Sequence, residues 1–384
     1  MTQSGLLPSQ RHLFDIPGDV AYLNAAYMGP MAKAAIAAGE QGMAAKGRPW
    51  LIRPEDFFTD SEAVRALFAK LVNATADDVA LVPAVSYGMG VAAHALPLKA
   101  GQSVLTLAEQ FPSNVYPWIE KARQCNAAHV TVPRPADDDW TRAVLALIDE
   151  RTAIVALPHC HWTDGGLLDL VAIRRACDRV GAALCIDATQ SLGVLPFDVQ
   201  AIRPDFLCAG GYKWMLGPYS FGYLYVDPRW HDAPPLEHNW IARQASEDFT
   251  ALVNYRTGFQ PGARRFDVGE RSNFALVPAA KAALQMLLDW GPETIQATLR
   301  HRTDAIAERA RAEFGLDSVA PDRRAGHYLG LRFTEGVPPE LPAKLAAASV
   351  FVSVRGKSMR VTPHVYNTDE DVERLFRVMK DALS

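Results

Sequence analysis

The chain reads AALCIDATQ at 182–190 and DFLCAGGYK at 205–213. Each stretch opens on a short apolar run without polar alternation, which is how a strand covered on both faces reads. Each then passes at once into polar or glycine-rich sequence. DLVAIRRACDRVG (169–181), just upstream, carries apolar residues at helical spacing. Strand, helical crossover and strand again imply a parallel βαβ arrangement. Asp187, Gln190 and Lys213 then fall just beyond strand ends, where open α/β sheets gather their ligands. A lysine bracketed by Gly210, Gly211, Tyr212, Trp214 and Gly217 is not an ordinary surface lysine.

Outward from this centre the same rhythm recurs. VALVP (79–83), SVLTLA (103–108), HVTV (129–132), AIVALP (153–158) and FGYLYV (221–226) complete a set of seven short apolar runs, with helical stretches such as SNVYPWIEKARQC (113–125) between them. The spacing predicts an α/β fold built on a mostly parallel seven-stranded sheet. Between 227 and 272 the rhythm breaks into WHDAPPLEHNWIARQ and NYRTGFQPGARRFDVGERS, long loops of a kind that usually carry function. A helical pattern returns from Ala275 to about Phe314. Short strands follow in GHYLGLRF, VFVSVRG and SMRVTP, and a last helix, TDEDVERLFRVMKDAL, opens on Thr368 as N-cap with acids in its first turn. The expected organisation is an N-terminal arm (1–20), a large α/β domain (21–270) and a smaller α+β domain with a linking helix (271–384).

At 384 residues the chain exceeds one hydrophobic core, and 49% hydrophobic residues suffice to build two. Its formal charge of −4, with no Lys/Arg cluster interleaved with aromatics, argues against nucleic acid or an anionic membrane surface. A small-molecule partner is the expectation. MTQSGLLPSQRHLFDIPGD at the start lacks the plan of a signal peptide, and no later run approaches a membrane span, so a cytoplasmic location is expected. The five cysteines, Cys125, Cys160, Cys177, Cys185 and Cys208, are odd in number, lie mostly in apolar runs and have no zinc-type spacing. They read as buried thiols, and no metal is expected.

The chemistry resides in few residues. A lysine amine is a nucleophile toward carbonyls once its surroundings lower its pKa, and the product is a Schiff base. A carboxylate facing a pyridinium nitrogen keeps that ring protonated and electron-withdrawing. Asp187 and Lys213, one crossover apart, therefore suit pyridoxal 5'-phosphate. Its phosphate needs a cradle. Ser86, Tyr87 and Gly88 offer one, in a turn that leaves the VALVP strand and opens a helix whose free N–H groups face an anion.

With these residues assembled, the chain resembles the class V group of fold-type I pyridoxal-phosphate enzymes, which contains cysteine desulfurases, kynureninase, isopenicillin-epimerase-like proteins and several aminotransferases. The resemblance runs from YLNAAYMGP (22–30) to HVYNTDEDVERL (364–375). It implies that Asp187 pairs with the pyridine nitrogen, that Gln190 contacts the ring's phenolic oxygen, and that Lys213 in GGYK holds the cofactor with Tyr212 on the phosphate. In EQFPSNVYPW (109–118) it makes Phe111 the ring stacked on the cofactor. In SMRVTPHVYNT (358–368) it makes Arg360 the clamp on the substrate carboxylate, a task suited to a guanidinium fork, and it places Asn24 on the substrate side. VGERSNF (268–274) falls where related enzymes donate a phosphate ligand across a two-fold interface, which implies a homodimer with shared active sites and Ser272 or Asn273 as donor.

Two departures from the group's pattern matter. HCHWTDGG (159–166) puts Trp162 where many members have asparagine, and His159 and His161 on an extended segment point to one side, with His161 a candidate for proton handling. No cysteine follows Cys208, whereas desulfurases need a thiolate in the C-terminal domain, so cysteine desulfurase is disfavoured. The expected activity is a class V aminotransferase acting on an amino acid or small amine. A kynureninase-like C–C or C–S lyase and an epimerase-like enzyme are the alternatives. A non-catalytic regulator domain is less favoured, because the fold begins near Tyr22 with no room for a helix-turn-helix. A redox or metal protein built on His159, Cys160 and His161 lacks a fourth ligand. Arg256 and Arg264 are the alternative anion binders.

Overall fold

The computed structural model describes residues 5–383. Its central sheet has seven strands: β1 Val79–Val82, β2 Ser103–Leu107, β3 Ala128–Val132, β4 Thr152–Pro158, β5 Ala183–Asp187, β6 Phe206–Gly210 and β7 Gly222–Val226. Their spatial order is β1-β7-β6-β5-β4-β2-β3. Only β7 runs antiparallel to its neighbours.

Side chains do alternate along these strands, but both faces are covered. Val79, Leu81, Leu105, Leu107, Val155, Leu157, Leu184 and Ile186 belong to one core. Ala80, Val82, Val104, Ile154, Ala156, Cys185, Phe206 and Cys208 belong to a second, on the opposite face. The period of two that a half-exposed strand would display is thereby hidden in the sequence. Helix α1 spans Lys33–Ala45, α2 Thr59–Leu71, α3 Val85–Ala95, α4 Tyr116–Gln124 and α5 Leu170–Val180. α3 lies so close to the sheet that a Cβ on Gly88 would stand 2.4 Å from Cys208 Sγ. That approach brings the α3 N-terminus to the carboxyl ends of β5 and β6.

The C-terminal part has its own core. Helices α6 (Leu276–Trp290) and α7 (Pro292–Phe314) lead to a three-stranded antiparallel sheet of β8 (Leu329–Arg332), β9 (Ser353–Arg355) and β10 (Ser358–Val361), in the order β9-β10-β8. The last helix, α8 (Asp369–Leu383), packs Leu375, Phe376 and Met379 against Leu329, Leu331, Met359 and Val361. Asp371 accepts the Thr368 amide at 3.1 Å and so closes the first turn of α8. Ala21 and Leu23 join this same core, since Ala21–Tyr22 pairs in parallel with Val350–Phe351.

The long loops of 227–272 are pinned from within. Asp267, fully buried, accepts from Arg65 at 3.1 and 2.8 Å, from Arg271 at 2.9 Å and from the Leu81 amide at 2.7 Å. Arg264 donates to Glu62 at 2.7 Å and to Asp77 at 2.6 Å. Arg264 is thus committed to structure, which removes it as an anion binder; Arg256 is exposed.

Candidate active site

A cavity of about 260 Å³ opens at the carboxyl ends of the strands. Its walls are Pro83–Ser86 from the turn between β1 and α3, Phe111, Ser113 and Trp162, the Asp187–Gln190 turn after β5, and the 210–221 segment around Lys213. Register places Asp187 level with Pro158 on one side and Cys208 on the other, so the carboxylate leaves the sheet where the strands end.

Lys213 is 6% exposed, and its Nζ lies 5.2 Å from the centre of the Phe111 ring and 5.5 Å from that of Tyr212. Burial lowers its pKa, Asp187 opposes the shift and the Arg360 and Arg355 charges reinforce it, leaving the amine at about 8. Asp187 responds in the opposite sense. Burial raises it, while the Thr189 bonds and the Lys213 charge pull it back. The Thr189 amide donates to its Oδ1 at 3.0 Å, and Thr189 Oγ1 accepts the Gly210 amide at 3.1 Å, which ties the two strand ends together.

The segment after the lysine is held tightly. Trp214, fully buried, donates from Nε1 to Gln190 Oε1 at 2.9 Å, and its carbonyl accepts from His364 Nε2 at 3.1 Å. Gln190 in turn donates to the Ala26 carbonyl at 3.2 Å. His327 Nε2 meets the Gln190 carbonyl at 2.7 Å. Gly29 has to be glycine, because a Cβ there would stand 2.0 Å from the Lys213 carbonyl oxygen. Leu216 and Ser220 adopt φ of 54° and 63°, local strain of the kind that surrounding contacts must hold in place at such sites.

At the α3 N-terminus the first ladder bond runs from the Gly88 amide to the Ala84 carbonyl at 3.1 Å. The amides ahead of it are the ones an anion can use. Ser86 lines the cavity, but Tyr87 and Gly88 do not. The Tyr87 phenol is pushed up by burial and by its hydrogen bond to Glu237, and Gly88 serves the close approach to Cys208. Tyr212 lines the cavity, its phenol raised to about 12 by burial, with Tyr219 and Asp187 adding to the shift.

His161 is not brought into the cavity. It is fully buried and its ring stacks on Trp140, centroids 5.0 Å apart. Nδ1 meets Thr163 Oγ1 at 2.8 Å and Nε2 meets the Ala108 carbonyl at 3.1 Å. The chain turns after β4, with the His161 amide on the Gly166 carbonyl at 2.7 Å, so His159 and His161 do not share a face. His159 meets Ser191 Oγ at 3.0 Å and is held down at about 4 by burial. Trp162 takes the wall position between them and the cavity. Its Nε1 donates to the Glu109 carbonyl at 2.6 Å, and its ring stands edge-on to Phe111 at 5.4 Å.

Arg360, only 1% exposed, stands against Trp162 rather than on the cavity wall. Its Nε and Nη2 donate to Ser353 Oγ at 2.8 and 2.6 Å, and its Nη1 to the Trp162 carbonyl and Tyr328 Oη at 3.1 Å each. Asn24 bridges to Thr362, and its buried Oδ1 has no hydrogen-bond partner among the described residues. Ser272 and Asn273 do not line this cavity; Asn273 Oδ1 instead accepts the Ala275 and Leu276 amides at 3.0 Å each, at the start of α6. Sequence reasoning missed Ser113, Thr189 and Arg355, of which only Thr189 sits inside a quoted motif. Among the described residues no group of three or more His, Cys, Asp or Glu side chains is arranged to hold a metal ion, and no helix is long and apolar enough to cross a membrane.

Chemically, the cavity offers one amine of depressed pKa, one carboxylate near it, aromatic walls and a helix N-terminus. That donor set fits a pyridinium aldehyde phosphate: Lys213 for the aldehyde, Asp187 for the ring nitrogen, the α3 amides and Ser86 for the phosphate, and Phe111 for the ring face.

The family model for aminotransferase class-V matches residues 45–375. The chain is 30% identical over 335 residues to an uncharacterized aminotransferase of Bacillus subtilis (strain 168), YcbU, which covers 85% of this chain and 84% of the relative. It is 24% identical over 333 residues to the isopenicillin N epimerase of Streptomyces clavuligerus, covering 83% of each. Among solved structures, a mutant of C-DES with glycine covalently linked to its PLP cofactor superposes with a TM-score of 0.84 at 18% identity, covering 96% of this chain and 98% of the other.

Proposed function

This chain belongs to the class-V aminotransferase family, and we propose that within it the protein is a transaminase acting on an amino acid. Its cofactor is pyridoxal phosphate. The observation that carries the reading is the Lys213 amine, buried beside Asp187 and brought down to about 8. Bound here, the cofactor supplies an electron sink for charge developing at the substrate's Cα. Lys213 Nζ holds the cofactor at rest. Once the substrate's amine has taken its place, the freed Nζ accepts the Cα proton and can return it on the same face. Asp187 keeps the ring nitrogen protonated. Arg360 anchors the α-carboxylate, its guanidinium fixed by Ser353 and Tyr328. Trp162 and Phe111 exclude water.

Transamination is favoured over epimerisation because Lys213 is the one basic side chain among the described residues that line the cavity. Inverting a stereocentre calls for a second base on the opposite face, and Tyr212 at about 12 is a poor one. A desulfurase would need an accepting thiolate, yet no cysteine follows Cys208. Incubating the loaded enzyme with a panel of amino acids tests this. Transamination converts the cofactor to its amine form with stoichiometric keto acid, and added keto acid reverses the change. Release of ammonia or alanine with the cofactor band restored would instead assign a lyase.

The working unit is read as a homodimer. Ser272 and Asn273 lie outside this chain's cavity, where a partner's site could use them, and Tyr27, Trp50 and Tyr255 expose 56%, 77% and 94% of their surface, more aromatic area than a solvated face needs. Sedimentation velocity is expected to report a dimer at working concentration; a fully active monomer would contradict it.

A further inference from the structure

Trp162 is the wall between two spaces. On one side is the cavity of about 260 Å³ that holds Lys213, and on the other a cleft of about 910 Å³ between the main sheet and the C-terminal unit. Two guanidinium groups flank its indole, Arg355 at 5.5 Å and Arg360 at 5.8 Å from the ring centre. They are not equivalent. Arg360 is almost wholly buried, with every nitrogen engaged. Arg355 lines the outer cleft, part-exposed, and donates from Nη1 to the Val354 carbonyl at 2.7 Å.

The cleft's other charges are largely neutralised. Arg134 pairs with Glu109 at 2.9 Å and Asp164 at 2.7 Å, Arg332 with Asp138 at 2.7 Å and Asp164 at 3.2 Å, and Asp317 with Arg311 at 2.6 Å. Lys357 donates to the Thr334 carbonyl at 2.8 Å. Among the described residues Arg355 pairs with no carboxylate, and its nearest charged neighbour is the like-charged Arg360, which destabilises its cation. A guanidinium left without a counter-ion at the mouth of an active site is a built anion receptor. Arg360 acts on the Lys213 amine more strongly than Arg355 does. A carboxylate on the reacting carbon therefore belongs to Arg360, and a more distant one to Arg355.

We propose that Arg355 receives a second anionic group on the substrate, reaching past the edge of Trp162 into the outer cleft, and so selects amino acids with an acidic side chain. This rests on the amino-acid reading above and names its substrate class. No reaction is needed to test it, because acids without an amine can occupy the site. In calorimetric titrations of the loaded protein, glutarate is expected to bind at least about tenfold more tightly than its monoacid counterpart valerate, the effect of one added charge-assisted pair. Arg355→Gln should bring glutarate down to the affinity of valerate and leave valerate within about twofold, with the cofactor band unchanged. Arg355→Lys, which keeps the charge but not the fork, should retain part of the preference. Equal loss for both acids, or a glutarate preference that survives in Arg355→Gln, overturns the proposal. If the wild type's cofactor band responds to no amino acid while glutarate is still preferred, the transaminase reading fails and the receptor stands.

Discussion

Lys213→Ala will yield a folded protein that has lost essentially all turnover. The expected fall in kcat is at least about a thousandfold, since one side chain supplies both covalent attachment and proton transfer. Borohydride treatment of the loaded wild type should fix the cofactor to the peptide containing Lys213, and the alanine variant should release it on dialysis. The pH dependence has a definite sign. Burial disfavours the ammonium, so the free amine forms near pH 8 rather than at its usual 10.5. Reconstitution with added cofactor should quicken as pH rises through 8 and then level off. A variant that still fixes the cofactor at another lysine, or a reconstitution rate that keeps climbing to pH 10, would show that Lys213 is not the attachment point.

Much of this site could be read from the chain because its parts sit in short motifs at strand ends. AALCID and DFLCAG are apolar throughout because both faces of the sheet are buried, and the residue that follows each run is forced to the sheet's edge, where Asp187 and the Lys213 turn are found. The antiparallel direction of β7 was also within reach. The connection from Gly210 to Gly222 is too short for a crossover, so FGYLYV had to return beside β6.

What escaped the sequence depends on partners far along the chain. The 227–272 stretch reads as loose loop, yet Asp267 is buried against Arg65, 202 positions away. His159 and His161 were expected on one face from local spacing, but the turn after β4 sends one to Ser191 and the other to Trp140. Tyr87 and Gly88 share a motif with Ser86, but helical geometry turns only Ser86 to the cavity. Arg355 ends a short strand that reads as ordinary hairpin, and its importance comes from the β9–β10 register, which sets Ser353 opposite Arg360 and Arg355 opposite Ser358. That places both arginines against an indole contributed by a loop after β4.

Asp187 provides a test in which function and stability move apart. Its carboxylate is buried at the strand end, and burial raises its pKa even though Thr189 and Lys213 hold part of the charge. A carboxylate whose folded pKa lies above its unfolded value costs stability wherever it is ionised. The cost is present at neutral pH and disappears as pH falls below the unfolded value. Asp187→Asn keeps the acceptor for the Thr189 amide and removes the buried charge, so the unloaded variant should melt no lower than wild type near pH 7. Turnover should nevertheless drop by about a hundredfold or more, because an unprotonated ring is a poor electron sink and a preorganised charge at the reacting group has been removed. Cofactor binding should persist in part, since Lys213 and the α3 N-terminus are untouched. Thermal melts and kcat on the same preparations decide the matter. A variant that loses stability and activity together would make Asp187 a structural strand cap, and one that keeps near-normal turnover would mean that its carboxylate does not serve the ring nitrogen.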